Sequence, residues 1–424
     1  MFRGSSAQAF FCGALALASC QPVVTELPPV ETVEIGPAFS THRANTSPGS
    51  QPSINTQGNY QFFAFYSDYN KLAVGKRDLT TGAVQIHEIN GNYDLIDVHY
   101  DATIGVDQDG RLHLIYDNHA TTSAKYRYSL NPFDITQWSS EHTPAFLNGI
   151  SYTYARFVDG PNGMRVFYRS YLGDPHRRDW EYSDLLTSPA TWSQSVKVLE
   201  GTDGLAPYIH NVAHRDNKIV LGVTWRQPPP GAHNIDFTVI ETDNFGASWS
   251  EPLPAHKNDL PEILNIGVDQ EHSHASGGTI APDGTVHFTA SFRPTVNEGI
   301  RLHHVWRGSD NIWRVRQLES VGPFAERVYP QIVSDNERAI IVYASPADRK
   351  YYAVVLSGPD FETQKMYRLM TGPLGNSHVT IDDRRWEQDG ILSALVHESL
   401  GDTWDGNPQT VETRPAYIYE WLIP

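Results

Sequence analysis

The chain has 424 residues, of which 40% are apolar, enough for a large packed core and too many for a disordered chain. Its 21 Tyr, 17 Phe and 10 Trp against only 4 Met point to an aromatic-rich β protein. A formal charge of −17 argues against nucleic acid and against an anionic membrane surface as general partners, although a local cluster of Arg and His can still hold a polyanion.

The first element is MFRGSSAQAFFCGALALASCQP, in which Arg3 precedes an apolar run too short to span a bilayer. Residues 1–19 therefore read as a secretory signal. The residues LASC, ending at Cys20, resemble a bacterial lipobox. That resemblance implies cleavage before Cys20, lipid attachment to its thiol and a place in the bacterial cell envelope, with a plain secreted form as the alternative. No cysteine follows Cys20, so the mature chain has neither a disulfide nor a thiolate metal site. Residues 20–34, rich in Pro and Thr, read as a tether, and 35–424 as a single domain.

That domain repeats one hairpin: NTQGNYQFFAFYSD, VDQDGRLHLIYD, VDGPNGMRVFYR, HRDNKIVLGVTWR, APDGTVHFTASFR, SDNERAIIVYAS and EQDGILSALVHE. Each places Asn, Asp or Gly in a turn before an alternating β-branched and aromatic run. With Gly58, Gly110, Gly163, Asn217, Gly284, Asn336 and Gly390 as markers, the spacing is about 52 to 54 residues, apart from one longer interval of about 67. Seven units with room for four short strands each predict an all-β, seven-bladed β-propeller. Inside the long interval, Thr242 to Trp249 resembles an Asp-box turn, with Asn244 in the Asp place. That motif supports the fold and says little about chemistry.

In a propeller, the start of each first strand and the end of each second strand meet at one mouth. Before the first strands stand His99, Tyr154, Tyr208, His272, His274, Arg327 and His378; after the second stand His119, Arg169, Arg226 and Arg293. The mouth of an acidic protein is thus expected to be lined by His, Arg and Tyr. His113 and His287 share a mid-strand offset and read as core. His87, His142, His176, His256 and His397 read as surface or strand-edge residues. His272 and His274, at i and i+2 on one strand face, suit a structural metal ion, but no third ligand is evident. The preferred reading has no metal, and no cofactor for catalysis.

Arg and His together suit an anion, carboxylate above all. No pair of mouth carboxylates offers itself for ordinary glycoside hydrolysis. β-Elimination from a uronic acid needs a cation on the carboxylate, a base for the C5 proton and an acid for the departing O4.

The segment DVHYDATIGVDQDGRLHLIYDNHATTSAKYRYS resembles the first well-marked blade of the ulvan lyases of polysaccharide lyase families 25 and 24, and YTYARFVDGPNGMRVFYRSY their next blade. WRQPPPGAHNIDFTVIETDNFGASW and HHVWRGSDNIW are similar to the wider neuraminidase-repeat propellers. The chain length favours family 25. The resemblance implies a lyase that cleaves ulvan, the sulfated rhamnose–uronate polysaccharide, at O4 of glucuronate or iduronate; a monomer is expected. By motif it assigns His99 and His119 as paired catalytic histidines, Tyr154 as the catalytic tyrosine and Arg169 as the carboxylate neutraliser. His99 as base and Tyr154 as acid is the preferred assignment. Tyr208 and His233 become substrate contacts, joined on positional grounds by Arg226, His274, Arg293 and Arg327. Ala155 stands where relatives carry Pro after the tyrosine. A propeller α-L-rhamnosidase and a non-catalytic glycan-binding lipoprotein are the rival readings.

Overall fold

The computed structural model describes residues 23–47, 52–160, 163–171, 178–188, 190–202, 204–227, 233–273, 276–401 and 410–424. The signal segment with Cys20, His176 and His274 lie outside the described residues. Seven small sheets form the seven blades of a β-propeller, and consecutive inner strands touch around a central axis. The first two strands are Ile54–Gln57 and Tyr60–Asp68 in blade 1, Ala102–Val106 and Leu112–Tyr116 in blade 2, and Ser151–Gly160 and Gly163–Tyr171 in blade 3. They are Ala206–Arg215 and Lys218–Arg226 in blade 4, Gly278–Ile280 and Val286–Phe292 in blade 5, and Gln331–Ser334 and Arg338–Ala344 in blade 6.

The second strands are buried on both faces because each is flanked by a neighbouring blade, so they read as continuous apolar runs rather than strict alternation. Lys218–Arg226 (KIVLGVTWR) is buried from Ile219 to Trp225. Gly222 within it is a packing requirement. A Cβ there would lie 2.8 Å from the Phe237 ring and 3.0 Å from Phe288 of blade 5, so only glycine lets the two sheets approach this closely. His113 and His287 are fully buried, as their offset suggests. His113 is held by Tyr126 Oη at 2.7 Å and Asp107 Oδ2 at 3.2 Å. His397 was expected near the surface; it is 1% exposed, its Nδ1 2.9 Å from the Glu398 carbonyl.

The seventh unit departs from the repeat. Its glycine marker, Gly390, is the left-handed C-cap (φ +66°) of the helix Asp383–Asp389 instead of a hairpin turn. Asp382 caps the helix N-terminus by accepting the Arg385 N–H, and it also accepts Thr56 Oγ1 at 2.6 Å and Gln61 Nε2 at 2.8 Å from blade 1. Arg384 reaches across the axis to the Asp159 carbonyl and His214 Nε2, closing the end of the channel opposite the mouth.

Ring closure joins the two ends of the chain. Blade 7 consists of Leu392–His397, Thr413–Trp421 and, from the other end, Glu31–Phe39 paired along Thr413–Trp421. Val24–Leu27 adds a parallel edge strand to blade 6 against Thr363–Leu369. Much of the segment read as a tether is therefore propeller structure, and the spacing signal missed it because Pro and Thr tolerate edge strands. Behind the seam, the buried carboxylate of Glu420 accepts Arg385 Nε at 2.9 Å and lies 3.1 Å from Arg77 Nη1 of blade 1. Without Glu420, Arg77 keeps Glu31 and Arg385 keeps Asp389, but both lose the buried carboxylate they share. Glu420→Ala is accordingly expected to destabilise the fold by about 3–5 kcal/mol in denaturant unfolding. A loss below about 1 kcal/mol would show that the seam does not depend on this cluster.

Candidate active site

The mouth is organised by a departure of blade 2 from its own sheet. After Leu112–Tyr116, Asp117 turns with φ +53°, and the next strand, His119–Thr121, pairs with the inner strand of blade 3. His119 lies opposite Thr153, one residue from Tyr154. The excursion is pinned by buried groups. Asp117 Oδ1 accepts the Asp94 N–H at 2.8 Å, its other oxygen accepts Lys125 Nζ, and Asn118 Oδ1 accepts the Lys125 N–H at 3.1 Å. Burial raises the Asp117 carboxyl to about 6 in spite of Lys125.

Two histidines meet over one carboxylate. Asp97 Oδ1 accepts the backbone N–H of His99 at 2.9 Å, an Asx-type turn, and also takes the His99 ring Nδ1. Asp97 Oδ2 lies 3.6 Å from His119 Nδ1. The imidazoles stack at 4.4 Å between centroids, and Tyr154 lies 5.6 Å from His99. Burial, followed by the His99 ring, depresses His119 to about 4, with Arg169 and Arg178 adding to the effect and Asp97 opposing it. Burial alone would raise Asp97; the hydrogen bond and charge of His99 outweigh it and hold the carboxylate well below its usual range.

Tyr154 owes its direction to backbone strain. The pairing of Ser151–Gly160 with Gly163–Tyr171 shifts register between Thr153 and Arg156, and Tyr154 sits in this bulge at φ +62°. A left-handed tyrosine costs on the order of 1–2 kcal/mol, so surrounding contacts must hold it. They do. Its ring stacks on Trp180 at 6.4 Å and under the Arg169 guanidinium at 4.3 Å.

Arg169 is the central cation of the mouth, 2% exposed, with its guanidinium 4.7 Å from the Tyr208 ring as well. Its Nη2 donates to Tyr171 Oη, while Nε and Nη1 are buried without a hydrogen-bond partner. No carboxylate pairs with it among the described residues. Arg178 donates to Tyr208 Oη at 2.5 Å, and Arg226 lies 5.4 Å from the same ring. Burial would raise the Tyr208 hydroxyl, but Arg169, Arg226 and Arg178 together pull it below its ordinary value of 10.0. Tyr154 goes the other way, held above 10.0 by burial although Arg169 opposes it. Two neighbouring phenols thus differ in how firmly they keep their protons, the pattern expected of distinct acid and base roles.

His99, His119, Tyr154, Arg169, Tyr208 and Arg226 therefore share one site. His233 is half-buried beside it, its carbonyl accepting the Gln227 N–H next to Arg226. Arg293 does not join them, being engaged by Glu271 at 3.0 Å and the Glu298 carbonyl at 2.8 Å. His272 turns inward instead of into the mouth, fully buried with Nδ1 3.0 Å from Thr224 Oγ1. Arg327 and His378 lie across the mouth in blades 6 and 7. The sequence reading missed Asp97, Tyr171 and Arg178. Asp97 stands two residues before His99, a spacing at which an Asp carboxylate commonly bonds the backbone ahead of it. Asp97, His99 and His119 also offer three ligand atoms within 4.8 Å of one another, close enough to serve a divalent cation, although Asp97 is already engaged by His99.

A histidine depressed to about 4 stays neutral through the physiological range. Unfolding then takes up a proton below the ordinary value of 6.5, so the stability His119 contributes is complete above 6.5 and is lost as pH falls toward about 4. NMR titration of the His119 ring is expected to show a midpoint near 4; a midpoint at or above 6.5 would contradict this environment.

No curated protein matches the sequence. Among solved structures, a polysaccharide lyase family 25 ulvan lyase aligns with TM-score 0.64 at 15% identity, over 92% of this chain and 96% of that one. A polysaccharide lyase family 25 ulvan lyase bound to -[GlcA(1-4)Rha3S]- aligns with TM-score 0.63 at 14% identity over the same shares. An α-L-arabinofuranosidase from Fusarium graminearum aligns with TM-score 0.46 at 10% identity, over 75% of this chain and 92% of that one. The two ulvan lyase alignments show a common propeller fold. The family model described as BNR repeat-containing matches residues 60–321, more than half of the sequence, so the chain belongs to the BNR repeat-containing family.

Proposed function

We propose that the protein is a polysaccharide lyase that cleaves ulvan by β-elimination at a uronate. The observation that carries this reading is a buried guanidinium, Arg169, with unbonded donors and no carboxylate partner among the described residues, beside a neutral imidazole and a firmly protonated phenol. A substrate carboxylate placed near Arg169 gains a cation that offsets the charge developing when C5 loses its proton. Arg178 and Arg226 strengthen that field through the Tyr208 cluster.

The proton path follows from tautomers. With Nδ1–H of His99 directed at Asp97, its Nε2 carries the lone pair and is the base for the C5 proton. Asp97 counters the charge the ring then carries. Tyr154 keeps its proton and is placed to deliver it to O4 as the C4–O4 bond breaks, leaving a C4=C5 double bond on one fragment and a hydroxyl on the other. His119, stacked on His99, packs the base and faces the same substrate. The family 25 ulvan lyase, with the same fold, supports ulvan as the polymer. The N-terminal lipobox-like segment supports delivery of the enzyme to the cell envelope, where such a polymer is met.

Incubation with ulvan, beside alginate, heparin and chondroitin, tests the proposal. Ultraviolet absorbance of an unsaturated uronate is expected to rise with ulvan. Reducing ends without that absorbance would favour the rhamnosidase reading, and binding without either would favour a glycan-binding protein. Arg169→Lys is expected to lower turnover on the order of 100- to 1000-fold, since a point charge does not reproduce the planar donor fork. Tyr154→Phe is expected to lose about 100- to 10,000-fold with the circular dichroism spectrum unchanged. Exhaustive treatment with a chelator is expected to leave turnover intact; loss restored by a divalent cation would assign Asp97, His99 and His119 as its ligands instead.

A further inference from the structure

We infer that the mouth carries a second oxyanion site, between blades 6 and 7, that grips a sulfate ester or carboxylate of the same polysaccharide away from the bond being cleaved. This rests on the reading of the substrate as a polyanionic glycan. The site is a cleft of about 320 Å³ lined by Arg43, Arg327, Tyr329, Arg349 and His378, with Glu326 at its rim. Three arginines line it in a protein whose net charge is −17, and two of them, Arg43 and Arg349, act on His378. Arg327 has no hydrogen bond or ion pair among the described residues, and Arg349 has only the outer contact of Glu326 at 3.4 Å. Three arginines against the single carboxylate of Glu326 leave the cleft lining with an excess of positive charge, which points to a ligand that supplies the negative charge.

His378 completes the chemistry. Burial, with Arg43 and Arg349 beside it, depresses the ring to about 3, so it is neutral and supplies a hydrogen bond without adding repulsion among the arginines. Its Nε2 is buried and unpartnered, and Tyr329 packs edge-on at 4.9 Å to fix the ring.

One short segment links the cleft to the loop that carries Asp97. Thr46 Oγ1 accepts the His378 N–H at 3.3 Å, while His42, four residues earlier, bonds the Leu95 carbonyl at 2.7 Å, two residues before Asp97. Arg43 lies between them. A polymer lying across the mouth can therefore place one anionic group at Arg169 and another at Arg327 and Arg349.

The test compares the wild type with an Arg327→Ala/Arg349→Asn double variant, Asn being chosen because Arg349 sits at φ +54°. A Lys365→Ala/Arg368→Ala variant on the outer strand Thr363–Leu369 of the same blade removes equal charge away from the mouth. Calorimetric binding of a sulfated neutral glycan and of an unsulfated polyuronate is measured for each, together with turnover on ulvan. The double variant is expected to lose on the order of 10- to 100-fold in affinity while the control variant stays near wild type. On ulvan, KM rises and kcat holds. Loss confined to the sulfated glycan assigns a sulfate ester, and loss confined to the polyuronate assigns a carboxylate. Affinities within twofold of wild type for both polymers would overturn the site even if lyase activity is present. Lost binding in a protein that never forms a double bond would keep the site and remove the lyase reading.

Discussion

Closure of the ring is the constraint on which the rest of the molecule depends. Each blade buries its faces only against its neighbours, so an open ring would expose two of them. The pairing of Glu31–Phe39 with Thr413–Trp421 removes that exposure and fixes the circumference. The Glu420 carboxylate, held by Arg77 and Arg385, then locks blade 7 to blade 1 and to the helix Asp383–Asp389. With the circumference fixed, the loops of blades 2, 3 and 4 have no freedom to spread, and the side chains at their ends are forced together. The same segment that follows the closing strand, His42 to Thr46, supports the loop carrying Asp97 on one side and His378 on the other. Fold closure and site geometry are thus one problem.

The electrostatics of the mouth follow from burying positive charge without a carboxylate partner among the described residues. Arg169 is surrounded by aromatic faces, which attract a cation through their quadrupoles but do not neutralise it. That leaves a local positive potential in a protein of strongly negative net charge. Its effects are visible on two neighbours: Tyr208 is pulled down, and His119 is pushed further down than burial alone would take it. The carboxylate bonded to the histidine pair, Asp97, is spent on orienting imidazoles and not on cancelling the guanidinium. The strained φ of Tyr154 is the backbone cost of turning a phenol into this field.

Much of this was legible in the sequence, for a physical reason. Hairpin turns need Gly, Asn or Asp, and blade packing needs apolar runs, so seven copies of that combination mark a propeller without any tertiary information. His99, His119, Tyr154 and Arg169 were legible because strand ends at one offset must meet at one mouth. What escaped had no local signature. The helix Asp383–Asp389 ends in Gly390 just as a hairpin would turn on it, because a left-handed glycine serves both. The crossing of His119–Thr121 into the sheet of blade 3 depends on Asp117 and Lys125 meeting in space. His272 has the right offset for the mouth, yet its ring turns to Thr224. Asp97 belongs to a turn whose purpose appears only when both histidines close over it.

The chemistry divides at a single bond. Elimination and hydrolysis break the same glycosidic linkage, but only hydrolysis adds water to the products. Mass spectrometry of the ulvan fragments separates them directly, because elimination leaves each new pair of ends lighter by one water than hydrolysis does. The site predicts non-reducing ends that carry a C4=C5 double bond and lack the elements of water. Saturated uronates, with one water added at each cleavage, would contradict it.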